Sequence, residues 1–209
     1  MQPIERIDTE AQLAQAARHL VALEPRFAPV LEAGPLPLRR RSDGFEALLS
    51  AIVSQQVSVA SAAAIWARME AAGLARASAM ARATDEDLRA VGLSRPKQRY
   101  ARALAQADLD YDDLREASSD EVIATLVALP GIGLWTAEIY AKFALGHADV
   151  FAAGDLALQE AARGMFDLPE RPSEKEFRGM AQAWSPVRAV AARALWVYYR
   201  LEKDREGIR

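Results

Sequence analysis

The chain has 209 residues, 51% of them hydrophobic, a formal net charge of −3 and no cysteine. That length suits one compact domain or two small lobes sharing a core, and the missing thiol excludes disulfides, thiol chemistry and a cysteine-ligated iron–sulfur cluster. The acidic balance counts against a protein that coats nucleic acid through charge alone. No run of about twenty apolar residues is present to span a membrane. Met1-Gln2-Pro3-Ile4-Glu5-Arg6 lacks the apolar centre of a signal peptide, so a cytoplasmic location is expected.

Abundant Ala and Leu with few β-branched runs favour helices throughout, and the expected class is all-α. Over residues 8–23, Leu13, Ala16, Ala17, Leu20 and Leu23 recur at helical spacing behind Asp8 or Thr9 as the cap. Gly34-Pro35-Leu36-Pro37 is the clearest break. Helices are expected next over 44–54, 58–72, 84–91 and 95–107. Two basic runs fall in this region, Arg39-Arg40-Arg41 and Arg95-Pro96-Lys97-Gln98-Arg99; each reads equally as part of a cationic face or as solvated surface.

Ser118-Ser119-Asp120-Glu121 has the spacing of a capping box, which predicts a helix from near Ser119 to 128 carrying Val122, Ile123, Leu126 and Val127. Pro130 and Gly131 stop it. Gly131 and Gly133 admit backbone angles closed to other residues, so the chain can turn tightly and expose its amides. A second helix, 134–145, carries Ala137, Ile139, Tyr140, Phe143 and Ala144. Free N–H groups at such a helix start attract phosphate oxygens, although the stretch alone also reads as an ordinary helical corner. After a loop at Asp149 come helices over 155–165, from Ser173 with Glu176 in a second capping box, and from Pro186 to about Lys203. Asp155 precedes Leu156, Leu158, Ala162 and Met165, so its local task is to cap their helix.

The run Leu129-Pro130-Gly131-Ile132-Gly133-Leu134-Trp135-Thr136-Ala137, followed by Asp149-Val150-Phe151 and then Gly154-Asp155, resembles the helix–hairpin–helix base-excision DNA glycosylases. More narrowly, it resembles their DNA-3-methyladenine glycosylase II branch. Phe45-Glu46-Ala47-Leu48-Leu49 with Ile52-Val53-Ser54-Gln55-Gln56-Val57-Ser58 is similar to that branch's N-terminal signature. Gly92-Leu93-Ser94 with Lys97, and Trp184, Pro186 and Arg188 ahead of Trp196, complete four blocks in family order over roughly residues 37–200. The resemblance implies two helical lobes flanking a cleft: residues 1–37 with 149–209, and residues 38–148 with the helix–hairpin–helix at about 119–145. It also implies a monomeric DNA N-glycosylase. Such an enzyme flips out and excises alkylated purines of the 3-methyladenine or 7-methylguanine type from duplex DNA and leaves an abasic site.

The same resemblance distributes the roles. The family's essential aspartate falls on Asp155. N-glycosidic cleavage builds positive charge on the sugar, which a fixed carboxylate stabilises where water is excluded while orienting or deprotonating the attacking water. An alkylated purine already carries positive charge and departs without a general acid, and neither His19 nor His147 falls on a catalytic position. Relatives that also nick the strand carry a Schiff-base lysine where this chain has Trp135, so lyase activity is not expected. Trp135 and Trp196 would wall the base pocket by stacking and cation–π contact, with Ile139 and Leu156 at its edge; core packing is the ordinary alternative for both tryptophans. Gln56 is the expected wedge that fills the gap left by the flipped base, with Gln55 beside it. Gly131, Ile132, Gly133 and Thr136 would meet the phosphate backbone. The carbonyls of Val127, Leu129 and Ile132 would hold a structural Na+ or K+, and no catalytic metal or other cofactor is expected.

Larger members of the branch carry an additional N-terminal domain at the pocket rim, and here only 44 residues precede Phe45. A compact version with a different lesion range is the expectation. The alternatives are a glycosylase for deaminated or mismatched bases, a non-catalytic DNA-structure binder, and a helical interaction domain that ignores DNA.

Overall fold

A computed structural model describes residues 4–205; Met1, Gln2 and Pro3 of the N-terminal stretch considered above lie outside it. The helices, in chain order, are α1 (Glu10–Leu23), α2 (Ala28–Glu32), α3 (Phe45–Ser54), α4 (Val59–Ala71), α5 (Ala77–Arg82), α6 (Asp85–Ala90) and α7 (Arg95–Gln106). They continue with α8 (Tyr111–Glu116), α9 (Ser119–Val127), α10 (Leu134–Phe143), α11 (Leu156–Met165), α12 (Glu174–Met180) and α13 (Arg188–Arg205). Among the described residues the only β-pairing is an isolated bridge between Arg6 and His147, so the chain is all-α. No described helix is long and apolar enough to cross a membrane.

Side-chain caps set most of the helix starts. Thr9 with Gln12, Thr84 with Asp87, Ser118 with Glu121 and Ser173 with Glu176 each form a reciprocal capping box. A cap of this kind is worth about 1 kcal/mol. The two boxes read from sequence at Ser118 and Ser173 are present as expected. Helix α13 begins two residues later than anticipated, after Val187 rather than at Pro186. The short helices α2, α5 and α8 were not anticipated; at five or six residues each they are too brief to show a hydrophobic period.

The chain forms two compact units, Met1–Arg40 with Ala141–Arg209, and Arg41–Tyr140. In the first, α13 packs against α11, α1 and α2. Ala189, Ala191, Ala192 and Ala194 are buried along it, and such small side chains allow close helix approach. Trp184 centres an aromatic cluster, with Phe27 (5.4 Å), Phe151 (5.5 Å), Phe166 (5.6 Å) and Phe177 (6.2 Å) around it. In this unit Arg40 and Arg6 close the C-terminal end of α10. Arg40 Nη1 donates to Phe143 O (3.0 Å) and Ala144 O (2.6 Å), and Arg6 Nη1 donates to Leu145 O (2.8 Å). Burial, then Arg6 and Arg40, push the His147 imidazole down to about 4, so it stays neutral inside the protein. Arg193 is buried too; burial and then the charges of Arg40 and Arg39 lower its guanidinium to about 10.

In the second unit, α7 packs against α3, α5 and α6, and α3 against α4. Lys97 is buried and donates from Nζ to Val53 O at 2.6 Å, at the end of α3. Gln98 is buried as well and bonds Leu93 O at 2.7 Å. Both basic runs therefore contain structural members that fit neither sequence reading: Arg40 and Lys97 saturate helix C-termini.

Candidate functional site

The predicted residues fall into two groups, one in each unit. In the Arg41–Tyr140 unit, α3 ends at a turn in which Gln56 has φ +54°, an unusual left-handed conformation for a residue with a side chain. Lys97 ties down Val53 just before that turn. Gln55 Nε2 donates to Gly131 O at 2.8 Å, which joins the turn to the hairpin between α9 and α10. Gln55, expected beside the wedge, is thus a strut between the turn and the hairpin, while Gln56 itself is exposed.

The hairpin is built as its sequence implies, with one correction. Gly131 takes the left-handed backbone (φ +87°), and a Cβ there would lie 2.3 Å from Tyr100 Cγ. Gly133 does not use such angles, and a Cβ on it would meet nothing within 4 Å. Both glycines were expected to serve the turn; only Gly131 does. Gly133 O accepts the Ala137 N–H (3.0 Å) and opens α10. Ile132 and Thr136, both expected to meet the phosphate backbone, are buried. Leu129 O accepts the Ile132 N–H at 3.1 Å. Trp135 stands 48% exposed on α10, with Leu134 and Val127 also exposed and Ile139 half-buried. An indole that exposed is not core packing.

In the other unit, Asp155 caps α11: its Oδ1 accepts the N–H groups of Ala157 (3.0 Å) and Leu158 (3.2 Å). Leu156 follows it, 61% exposed. The loop leading to Asp155 is anchored at its far end by Arg188. Its Nε and Nη2 grip the Asp149 carboxylate at 2.7 and 3.0 Å, and Nη2 also donates to Asp149 O at 3.0 Å. Ser185 Oγ donates to the same carboxylate at 2.8 Å. Such a bidentate, charge-assisted pair is among the strongest side-chain clamps available. Phe151, within this loop, is fixed in the aromatic cluster around Trp184.

Trp196 lies in this unit as well and is half-buried. Its ring stacks on Phe143 (5.6 Å, 19° between planes), and the Lys142 Nζ lies 4.1 Å from its centroid. Its packing partners are thus of the kind given by the ordinary reading of a core tryptophan. Sequence reasoning did not single out Lys142, Arg193 or Gln159. A charged or amide residue on an otherwise apolar helical face is the signal that marks such positions.

Comparison with known proteins gives the arrangement its context. A DNA-3-methyladenine glycosidase structure from Bacillus halodurans is 31% identical, with a TM-score of 0.81 over 95% of this chain and 93% of that one. The Schizosaccharomyces pombe 3-methyladenine DNA glycosylase Mag1, solved in complex with abasic DNA, is 27% identical with a TM-score of 0.75, covering 87% of this chain and 95% of that one. Bacillus subtilis YfjP is 29% identical over 115 residues, 53% of this chain but only 40% of that protein. Residues 49–186, which hold the turn, the hairpin and Asp155, match the family model, and the chain belongs to the HhH-GPD superfamily of base excision DNA repair proteins.

Proposed function

We propose that the protein excises alkylated purines of the 3-methyladenine and 7-methylguanine type from duplex DNA by hydrolysis, leaving an abasic site. The observation that carries this reading is Asp155, a carboxylate held at a helix N-terminus at the end of a clamped loop. The names of the two similar structures, one of them bound to abasic DNA, support the substrate class.

As the base leaves, the sugar gains positive charge, and the Asp155 carboxylate stabilises it and directs water to the anomeric carbon. Its hydrogen bonds to two helix amides fix its orientation before the reaction, so little reorganisation is needed. The exposed Trp135 offers a π-face to the flipped, cationic base, with Ile139 beside it on α10; for Trp196 and Leu156, in the other unit, the support is the family resemblance alone. Gln56 fills the vacated stack, and the amides of the Gly131–Gly133 hairpin hold a phosphate. Carbonyl oxygens suit a hard monovalent cation, and Leu129 O, which accepts one N–H, keeps a second lone pair. Val127, Leu129 and Ile132 would hold Na+ or K+ and add positive charge toward that phosphate. Trp135 occupies the position where strand-nicking relatives carry their amine, and an indole forms no Schiff base, so the chemistry stops at the abasic site.

The test is release of bases from methylated duplex by the wild type and by Asp155→Asn, with strand nicking and borohydride trapping read in the same reactions. Asparagine caps a helix as well as aspartate, so the variant keeps its fold and loses only the charge. Release that the variant abolishes, without nicking, is the expected result. Equal release by both proteins overturns the role of Asp155, and nicking overturns the assignment as a pure hydrolase.

A further inference from the structure

Gln159 lies one turn into α11 and is only 5% exposed. Its main-chain N–H donates to Asp155 O at 3.0 Å, and its side-chain Nε2 reaches back to donate to Ala153 O at 2.8 Å. One residue therefore grips the chain at Asp155 and two residues before it. Asp155 N in turn donates to Ala152 O (3.1 Å), while Asp155 Oδ1 serves the cap.

The helix does not need this bond. Asp155 caps α11 with its own oxygen, and any helix-forming residue supplies the main-chain N–H at position 159. Burying a primary amide costs several kcal/mol of desolvation unless it is bonded, about 2–7 kcal/mol on transfer scales, and leucine or methionine would fill similar space without that cost. What distinguishes glutamine here is the carbonyl it bonds, at the approach to Asp155.

We propose that Gln159 is a positioning residue for glycosidic cleavage: by pinning Ala153 it fixes the Ala153–Asp155 backbone and so the orientation of the Asp155 carboxylate. The assignment rests on the reading of Asp155 as the catalytic carboxylate. A misplacement of about 1 Å at a reacting group costs on the order of a hundredfold in rate. Gln159→Leu is therefore expected to slow single-turnover excision about ten- to a hundredfold, with affinity for an abasic duplex changed less than about twofold.

Gln159→Glu supplies a readout that structural damage alone would not give. As a neutral acid it donates to Ala153 O, and as a carboxylate it is repelled. Its rate relative to wild type at the same pH should recover as pH falls. Melting temperatures accompany every variant, and Gln159→Met, unbranched and closer to glutamine in shape, replaces the leucine variant if that protein does not fold. Wild-type rates in Gln159→Leu and Gln159→Met, or losses matched by lost folded fraction or lost DNA affinity, overturn the assignment, as does a Gln159→Glu rate ratio indifferent to pH. A wild type inert on every lesion overturns the underlying reading and this assignment together, whereas an active wild type with an unimpaired Gln159→Leu overturns this one alone.

Discussion

Alanine substitutions at Gly131 and Gly133 separate what the fold requires from what the ligand requires, although the two glycines are neighbours in one hairpin. At Gly131 the left-handed backbone costs an alanine about 1–2 kcal/mol. The new Cβ would also lie 2.7 Å from Tyr100 Cβ, an atom attached directly to the α7 backbone and unable to swing away. Overpacking of that kind adds about 1–3 kcal/mol. Gly131→Ala is therefore expected to lose about 2–5 kcal/mol, a drop of roughly 4–20 °C in melting temperature for a chain of this size. At Gly133 neither term applies. Alanine is the poorer helix cap by about 0.5–1 kcal/mol but restricts the unfolded chain by about 0.4–1 kcal/mol, so the two nearly cancel.

If Gly133 is present because a phosphate comes close to its amide, a methyl group there removes one charge-assisted hydrogen bond. Such a bond is worth about 1.5–3 kcal/mol, or roughly a 10- to 100-fold rise in Kd for an abasic duplex. Thermal melting and fluorescence anisotropy at one fixed salt concentration read the two effects separately. The expected pattern is crossed: Gly131→Ala melts early, and Gly133→Ala folds normally and binds poorly. Wild-type affinity in Gly133→Ala refutes the placement of DNA against this hairpin. A melting loss there equal to that of Gly131→Ala refutes the steric argument.

Gln56→Gly removes a left-handed non-glycine residue, so its melting temperature should hold or rise by the equivalent of up to about 1 kcal/mol, less the entropy cost of glycine. Its excision from duplex DNA should fall, because the wedge is gone; unchanged excision would count against Gln56 as the wedge. Lys97→Met leaves Val53 O buried without its donor and should cost about 1–3 kcal/mol in urea unfolding, with no loss expected if the lysine were a solvated surface residue. His147 has a folded value of about 4 against 6.5 in the free side chain, so the unfolded chain takes up the proton first as pH falls. Its contribution is whole above about pH 6.5 and is lost progressively toward pH 4, roughly 3 kcal/mol in all; urea midpoints across that window should fall in the wild type and flatten in His147→Gln.

What the sequence discloses about this protein is what closes over a few residues. The capping boxes at Ser118 and Ser173, the cap at Asp155 and the turn at Gly131 each complete their hydrogen bonds or steric logic within one helical turn, so residue types at fixed spacing display them. Trp135 was legible as a departure from lysine at a position known from resemblance, and its exposure then argues against a core role. The misread positions complete theirs at long range. Lys97 serves a carbonyl 44 residues away and Arg40 one 103 residues away, and no local pattern distinguishes a cation bound for a helix end from one left in water. Gln159 was passed over for a related reason: an amide on an apolar helical face hints at burial, but nothing in the spacing names the carbonyl it bonds, Ala153 O, which lies outside its own helix. This has a consequence for how DNA is gripped. With Arg6, Arg40 and Lys97 committed to the protein's own carbonyls and the chain at −3 overall, these three bases are spent on the fold rather than on phosphate. On the proposed reading the grip on DNA would then fall more heavily on main-chain amides such as those of the hairpin, where a glycine with no steric duty of its own, Gly133, makes physical sense.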